Sequence, residues 1–236
     1  MSGADDNATF ASPPCFMHEL DSRCTGMSAL ADKQTSTDVA RWRKAERQRL
    51  IEERLALANR TRENLTSRII DRLFKQIGNM RGKTVSIYWP FRGEPDFRSL
   101  ADVVTASRGR LALPVVTRKN TPLTFRTWSP STPLERGVWN IPVPVSTVEA
   151  VTPDIVIAPV VGFDAGCFRL GYGGGYFDRT LAASSPRPQA IGVGYEIAAI
   201  PTIYPQPHDI AMDCIITESR VLHRKEDRRT DERLKR

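Results

Sequence analysis

The chain has 236 residues and a mass of 26.4 kDa, with 40% hydrophobic and 26% charged residues. These values allow one sizeable α/β domain with tails and exclude fibrous, collagen-like and disulfide-scaffold proteins. The four cysteines form no C-x-x-C pair, and with three histidines they indicate neither a disulfide framework nor a zinc site. No apolar run approaches the roughly 20 residues of a membrane-spanning helix, and no targeting segment is visible. We therefore expect a cytoplasmic protein that does not enter a membrane.

The net charge of +7 is unevenly distributed along the chain. Residues 1–38 carry 2 Lys or Arg against 6 Asp or Glu, residues 39–83 carry 13 against 5, and residues 220–236 carry 8 against 4. The intervening residues 84–219 are nearly neutral, with 11 against 12. Basic charge confined to a helical segment and a tail is typical of solvated faces or of a site for a small anion. We do not expect nucleic-acid binding, because no nucleic-acid module accompanies this charge.

The first part of the chain predicts an extension followed by two helices. Residues 1–38 are rich in small polar residues and lack periodicity, which is typical of a disordered segment. Asp38 is expected to cap a helix that starts at about Val39. A second helix has an apolar stripe that repeats every four residues from Leu65 to Ile77, and Gly78 marks its end.

From Thr84 the pattern changes to short apolar runs separated by turn residues or helical segments. Several runs are apolar on both faces, which is typical of a parallel sheet covered by helices. The proline-rich residues 114–153 are expected to form loops with short edge strands. The sequence therefore predicts one α/β domain over residues 39–219, followed by a charged tail at 220–236. The predicted strands are 85–89, 111–116, 155–161, 191–194 and 214–217, and the predicted covering helices are 99–106 and 178–183.

A glycine-rich loop follows the strand predicted at 155–161. It reads RLGYGGGYFDR over residues 169–179. In open α/β sheets, ligands bind at the carboxyl ends of strands. Glycines let backbone N–H groups converge on an anion, the following helix adds its positive end, and Arg169 supplies a full charge. A tight turn would need one glycine, so four glycines favour a phosphate site.

Two familiar phosphate motifs do not match the chain. Tyr176 stands where the third glycine of G-x-G-x-x-G is required, so no dinucleotide cofactor is indicated. Residues 78–84, GNMRGKT, are one residue short of a P-loop between their glycines. They also precede a predicted strand instead of following one, so we interpret them as a helix end and strand entry.

Together with Gly93-Glu94, residues 139–142 (WNIP) and His208-Asp209, the glycine loop resembles the 5-formyltetrahydrofolate cyclo-ligase family. The resemblance covers roughly residues 41–218. It implies a three-layer α/β/α fold of the NagB/RpiA/CoA-transferase type with a mostly parallel sheet, preceded by N-terminal helices. It also implies an ATP- and Mg²⁺-dependent ligase of one-carbon metabolism. This reaction converts 5-formyltetrahydrofolate to 5,10-methenyltetrahydrofolate with release of ADP and phosphate, through phosphorylation of the formyl oxygen.

The resemblance assigns roles to individual residues. Arg169 would be catalytic, Glu94 and Trp139 would hold the reduced folate, and Asp178 and Asp209 would hold Mg²⁺. The residues expected to bind ATP are Arg43, Arg47, Arg169, Leu170, Gly171, Tyr172, Gly173, Gly174, Gly175 and Tyr176.

Each assignment also has a purely structural alternative. Asp178 suits a helix start, Asp209 and Glu94 suit turns, and Trp139 could fill the core. Arg43 and Arg47 could lie on a solvated helix face.

The sequence also departs from the family and leaves other functions open. The family usually has Lys where Arg43 stands and commonly Tyr where Phe177 stands. One alternative is a diverged paralogue that uses MgATP on another small substrate. Another is a non-enzymatic nucleic-acid-binding or regulatory protein that uses residues 39–83 and 220–236. We expect a monomer or a small homo-oligomer with ATP and a small molecule as its binding partners.

Overall fold

The structure is a computed structural model that describes residues 28–225, with side chains from residue 35 onward. The helices are α1 (Ser28–Ala56), α2 (Asn59–Ile77), α3 (Leu100–Ala106) and α4 (Tyr176–Ala183). The strands are β1 (Thr84–Ser86), β2 (Arg110–Val115), β3 (Thr124–Trp128), β4 (Leu134–Arg136), β5 (Pro142–Pro144), β6 (Ala150–Val151), β7 (Ile155–Pro159), β8 (Gly162–Phe163), β9 (Arg169–Leu170), β10 (Gln189–Val193), β11 (Cys214–Ile216) and β12 (Val221–His223).

Eight strands form one sheet in the order β12-β11-β10-β7-β1-β2-β3-β6. The five strands from β11 to β2 pair in parallel, whereas β12, β3 and β6 pair antiparallel at the edges. In β7, Ile155 and Ile157 enter the core on one face of the sheet, and Val156 and Ala158 enter it on the other. This burial on both faces explains the apolar runs and confirms the predicted mostly parallel α/β sheet.

Helices cover both faces of the sheet. Helices α2 and α3 pack on one face through residues such as Leu73 and Val104, and Leu181 of α4 packs on the other. Helix α2 ends at the predicted position, where Gly78 has a φ of 64° and its N–H bonds to the Phe74 carbonyl. The three layers expected from the sequence are therefore present.

Helix α1 packs beyond the end of β7 instead of on a sheet face. Its residues Leu50 and Ile51 are buried against Val161, Leu170 and Ile203. A Cβ on Gly162 would lie 2.7 Å from Leu50 Cδ1, so this close approach needs a glycine. The packing fixes the basic face of α1 against the segment that carries β8, β9 and the glycine loop.

The structure differs from the sequence prediction at both ends of the described chain. Helix α1 begins at Ser28 and runs through Asp38, so the predicted cap at Asp38 is wrong. Asp38 instead pairs with Arg41 within the helix, and the preceding segment contains good helix formers although it lacks an apolar stripe. Residues 1–27 of the predicted extension lie outside the described residues.

The carboxyl-terminal difference concerns the segment predicted to be a tail. Residues 221–223 form β12, which pairs antiparallel with β11 and places His223 opposite Cys214. The sequence did not indicate this edge strand, because it has only three residues and lies in a basic segment. Residues 226–236 of the predicted tail lie outside the described residues.

The proline-rich segment forms short strands as predicted. Strands β3 and β6 extend one edge of the sheet, and β4 and β5 form a separate antiparallel hairpin. No helix within residues 28–225 is long and apolar enough to cross a membrane.

Candidate active site

A cavity of about 210 Å³ opens where the central strands β1, β2 and β7 end. Its walls include Trp89 after β1, Pro114 in β2 and Pro159 at the end of β7. Helix α1, the glycine loop and the β4–β5 hairpin complete the walls. The cavity brings together every residue to which the sequence analysis assigns a role. These residues are Arg43, Arg47, Glu94, Trp139, Arg169, Leu170, Gly171, Tyr172, Gly173, Gly174, Gly175, Tyr176, Asp178 and Asp209.

The glycine loop connects β9 to α4 and has no room for side chains at several positions. Gly173 and Gly175 have φ values of 93° and 60°, in the region that favours glycine. A Cβ on Gly171 would lie 2.6 Å from Arg169 Nη1, and one on Gly174 would lie 2.8 Å from the Tyr176 ring. The loop therefore lines the cavity with backbone in the manner expected of a phosphate-binding segment.

Arg169 is a buried cation at the start of this loop. Its Nη2 donates to Asp178 Oδ2 at 2.9 Å, and its guanidinium lies 5.0 Å from the centre of the Phe177 ring. Burial lowers the pKa of Arg169, while Asp178 and Asp209 oppose that effect. Its buried Nε has no hydrogen-bond partner among the described residues. Arg169 is thus anchored by Asp178 at the start of the loop, while its Nε–H is left without an acceptor among the described residues.

The two arginines of α1 have different surroundings. Arg47 Nε donates to the Gly171 carbonyl at 2.7 Å, and burial together with neighbouring Arg43 lowers the pKa of Arg47. Arg43 donates through Nε and Nη2 to the carbonyls of Ile203 and Tyr204 and through both Nη atoms to Asp209. Arg47 is therefore placed against the glycine loop, whereas Arg43 chiefly clamps the 203–209 segment to α1.

The two predicted metal ligands lie close together. The N–H of Ile210, the residue after Asp209, donates to Asp178 Oδ1 at 3.3 Å. Burial raises the pKa of Asp209, but hydrogen bonds from Arg43 and from the Gln206 N–H outweigh it and hold that pKa below its usual value. Both carboxylates also pair with arginines.

Two carboxylates are too few to enclose a metal ion without other ligands. Over residues 35–225, no cluster of three or more His, Cys, Asp or Glu side chains could hold a metal ion. Two aspartates beside a phosphate-binding loop suit Mg²⁺, which takes oxygen ligands and fills its other positions with water and phosphate oxygens.

Glu94 is a buried carboxylate in the cavity wall, beside Tyr172. Tyr172 donates its hydroxyl proton to Glu94 Oε1 at 2.7 Å, and the Phe91 N–H donates to Oε2 at 2.9 Å. Burial raises the pKa of Glu94 to about 7, although Arg54 and these two hydrogen bonds oppose the rise. Glu94 is 7% exposed, so the alternative of an exposed turn carboxylate is wrong.

Trp139 projects from the turn between β4 and β5. Its side chain is 53% exposed and its φ is 56°, so the alternative of a core-filling residue is wrong. The Trp139 and Tyr172 rings have their centroids 6.2 Å apart with an interplanar angle of 54°. They give the cavity an aromatic wall suited to a flat heterocycle.

Comparison with known proteins agrees with this geometry. A model of the 5-formyltetrahydrofolate cyclo-ligase family matches residues 39–218. The chain belongs to the 5-formyltetrahydrofolate cyclo-ligase family. The cyclo-ligase of Mycolicibacterium smegmatis is 31% identical over 59% of this chain and 75% of its own length, and that of Escherichia coli K12 is 30% identical over 58% and 79%. The NMR structure of Aquifex aeolicus 5,10-methenyltetrahydrofolate synthetase matches 79% of this chain and 94% of its own, with 28% identity and a TM-score of 0.68.

Sequence reasoning missed Arg54, which lies behind the cavity wall of this cyclo-ligase family member and contacts Tyr172. Its Nη2 donates to the Tyr172 hydroxyl at 2.6 Å, and its Nε donates to the Arg92 carbonyl at 2.9 Å. One signal could have found it. Arg43, Arg47 and Arg54 recur at positions i, i+4 and i+11, which share one face of a helix with the apolar residue Leu50. Basic residues on the buried face of a helix indicate a site rather than a solvated surface.

The two departures from the family pattern have structural consequences. Phe177 places its ring beneath the Arg169 guanidinium and packs in the core below α4. Arg43 forms a two-pronged contact with Asp209 that a lysine could not form.

Proposed function

We propose that this protein converts 5-formyltetrahydrofolate to 5,10-methenyltetrahydrofolate with conversion of ATP to ADP and phosphate. One observation carries this proposal. A single cavity is lined both by the glycine loop with Arg47 and Arg169 and by Glu94 and Trp139. The groups expected to hold the two substrates therefore lie beside one another, and alignment of the two substrates is most of what phosphoryl transfer requires from a protein.

The end with the glycine loop would bind ATP. Backbone N–H groups of residues 171–175 and the N-terminal end of α4 favour a polyphosphate. Arg169, buried and with one unpaired N–H, would stabilise charge on the transferring phosphoryl group. Arg47, whose Nη atoms have no partner among the described residues, would contact the phosphates from the other side of the loop. Arg43 would act at the same end by holding Asp209 in place.

Asp178 and Asp209 would hold Mg²⁺ at this end of the cavity. When bound, the ion neutralises charge on the phosphates. The two carboxylates are close to the glycine loop and supply the oxygen ligands that Mg²⁺ prefers. The hydrogen bonds from Arg43 and from the Gln206 N–H hold the pKa of Asp209 below its usual value, which would keep Asp209 ionised in the absence of the metal.

The other end of the cavity would bind the reduced folate. The Glu94 carboxylate accepts hydrogen bonds, as the amino and ring N–H groups of a pterin require, and Trp139 offers a face for stacking. The formyl oxygen would accept the terminal phosphoryl group of ATP. N10 would then attack the formyl carbon, lose its proton, and displace phosphate that carries the former formyl oxygen. The protein would need no covalent nucleophile, only this alignment.

The absorbance of the methenyl product tests the proposal. Purified protein with 5-formyltetrahydrofolate, Mg²⁺ and ATP should give growing absorbance in the ultraviolet band of the product, and the same mixture without ATP should not. ATP binding without product would contradict the proposed substrate and leave a nucleotide-using paralogue. Nucleic-acid affinity that falls steeply with salt, together with no ATP turnover, would instead support the non-enzymatic alternative.

A cytoplasmic location and a monomeric or small homo-oligomeric state remain predictions from the sequence, as does the division into an extension, a domain over 39–219 and a tail. Cell fractionation and light scattering of the purified protein test the first two. Limited proteolysis followed by mass spectrometry tests the domain boundaries.

A further inference from the structure

Arg54 joins three segments around the cavity. Besides the bonds to the Arg92 carbonyl and the Tyr172 hydroxyl, its Nη1 lies 3.4 Å from the Val160 carbonyl. Arg54 is 5% exposed, and its three acceptors are two backbone carbonyls and a phenol oxygen. The carboxylate that its positive charge stabilises is Glu94, on the far side of Tyr172. Burial of a guanidinium is costly, so this link to Glu94 needs an explanation.

The hydrogen bonds of Tyr172 have a fixed direction. An arginine can only donate, so the Tyr172 hydroxyl must accept from Arg54. The single phenolic proton is then directed to Glu94 Oε1. With the Phe91 N–H on Oε2, both oxygens of Glu94 are held in place, and a carboxylate retains further lone pairs for a ligand. Arg54, Tyr172 and Glu94 thus form a chain in which each residue orients the next.

We propose that Arg54 is a positioning residue for the folate end of the cavity, acting through Tyr172 to hold the Glu94 carboxylate ready to accept hydrogen bonds from the substrate. This inference rests on the proposed function, in which Glu94 binds the reduced folate. It adds a role for the hydroxyl of Tyr172 that the glycine-loop pattern does not suggest. Tyr172 lies within that loop, yet its hydroxyl is committed to Glu94 and Arg54.

Charge supports the same arrangement. Burial raises the pKa of Glu94, and the positive charge of Arg54 and the hydrogen bond from Tyr172 are the first two opposing influences. Loss of either residue should therefore favour the protonated carboxyl, a poorer acceptor. Tyr172 bonds to Glu94, and Arg54 of α1 and Tyr88 after β1 interact with it electrostatically. The other titratable groups around Glu94 border a second pocket together with it; they are Arg62, Glu63, Asp96, Arg98 and Tyr195.

Equilibrium binding to the purified full chain tests this inference without requiring turnover. Calorimetry would give the Kd of 5-formyltetrahydrofolate and, separately, of ATP with Mg²⁺ for Arg54→Met, Tyr172→Phe and the double variant. We expect each single variant to weaken folate binding about tenfold, corresponding to about 1.4 kcal/mol, while ATP affinity changes less than twofold. The double variant should bind folate no more weakly than the weaker single variant, because the two residues act in series.

A pH series separates positioning from general damage to the fold. In both single variants the loss of folate affinity on acidification should begin at higher pH than in the wild type. Thr217→Val is the control, since it removes a buried side-chain hydrogen bond, to Glu196, at a residue that does not border Glu94 or line the cavity. It should lower stability without changing folate affinity or its pH dependence.

Other outcomes would overturn the inference. Additive losses in the double variant, unchanged folate affinity, or a selective loss of ATP affinity would each show that Arg54 does not act through Tyr172 on Glu94. A wild-type chain that binds no folate would overturn both this inference and the proposed function. Folate binding by the wild type without turnover would contradict the proposed function alone.

Discussion

Arg169 combines full burial, one carboxylate partner and an unpaired Nε at the edge of the glycine loop. Such a cation is already free of water and needs little rearrangement when charge develops on a phosphoryl group. We predict that Arg169→Ala lowers kcat/KM by about a hundredfold or more, by analogy with the loss of one preorganised donor. Steady-state kinetics would measure the change. Arg187→Ala, which breaks the half-exposed pair with Asp213, is the control and should stay within about twofold.

Glu94 should make folate binding depend on pH near neutrality. Since burial raises the pKa of Glu94 to about 7, the carboxyl is ionised above that pH and protonated below it. If the substrate requires the ionised form, its KM should rise as pH falls below about 7, approaching tenfold per pH unit. Glu94→Gln should have a raised KM that varies little over the same range. A wild-type KM that is flat between pH 5.5 and 8 would contradict this assignment.

Trp139 should contribute to binding of the folate and not of ATP. Its ring stands at the tip of the β4–β5 hairpin, beside Tyr172 and away from the Arg169–Asp178 pair. We predict that Trp139→Ala raises the KM for 5-formyltetrahydrofolate about tenfold and changes ATP affinity less than twofold. Separate titrations of the two substrates would measure this division. Loss of ATP binding in the variant would refute it.

Sequence reasoning could locate the site residues that belong to a local pattern, but not those that act through distant partners. The glycine loop and the flanking Asp178 can be identified from the sequence, because their chemistry depends on the spacing of residues within a short segment. Arg54 acts on Tyr172, 118 positions later, so its role exists only after folding. The sequence did not indicate the pairing of Arg43 with Asp209 either. This ion pair shows that Arg43 holds Asp209 in place instead of pointing freely toward a phosphate.

At the scale of elements, the glycine loop lines the cavity with its backbone, and side chains such as Arg169 and Tyr176 pack closely against its glycines. Gly171 is the loop position whose Cβ would come closest to another atom, at 2.6 Å from Arg169 Nη1. We predict that Gly171→Ala displaces the Arg169 guanidinium and weakens ATP binding about tenfold or more, with folate affinity nearly unchanged. Calorimetric titration with ATP and Mg²⁺ would measure the effect.

A second crowded glycine supplies the control for this experiment. A Cβ on Gly109 would lie 2.9 Å from the Met80 carbonyl, remote from the cavity. Gly109→Ala should therefore lower the melting temperature while the folded variant keeps its ATP affinity. Equal losses of ATP affinity in both variants would show that the effect of Gly171→Ala is general destabilisation.

The presence of a helix or strand could be predicted from the sequence more reliably than the residues at which it begins and ends. The buried strands, the apolar stripe of α2 and the helix after the loop follow from periodicity and agree with the structure. The predicted start of α1 was wrong because the prediction gave more weight to Asp38 as a capping residue than to the helix propensity of the residues before it. Strand β12 was missed because three residues in a basic segment carry too short a pattern.

At the scale of the whole molecule, β12 closes one edge of the eight-stranded sheet. Leu222 and Val221 pack on opposite faces of that sheet, so a chain that ends at Ser219 loses apolar contacts on both. We predict that it melts about 4–8 °C below a chain that ends at Lys225, because about 2 kcal/mol of burial and strand pairing is lost. Differential scanning calorimetry of the two chains would measure the difference. Equal melting temperatures would show that β12 does not stabilise the fold.

The fold as a whole brings the proposed ATP and folate groups to one cavity. Parallel strands bring their carboxyl ends to one edge, where α1, the glycine loop and the β4–β5 hairpin surround the same space. Tyr172 of the glycine loop bonds to Glu94, so the groups proposed for the two substrates are in contact. This arrangement predicts that the terminal phosphoryl group of ATP meets the formyl oxygen directly.

An isotope-transfer experiment tests most directly whether the terminal phosphoryl group of ATP is transferred to the formyl oxygen. The substrate would be 5-formyltetrahydrofolate labelled with ¹⁸O at the formyl oxygen, incubated with the purified protein, ATP and Mg²⁺. Mass spectrometry of the inorganic phosphate should find one ¹⁸O atom for each methenyl product formed, because the phosphate that leaves carries the formyl oxygen. Label recovered in water, with unlabelled phosphate, would show that ATP does not phosphorylate the formyl group in this cavity.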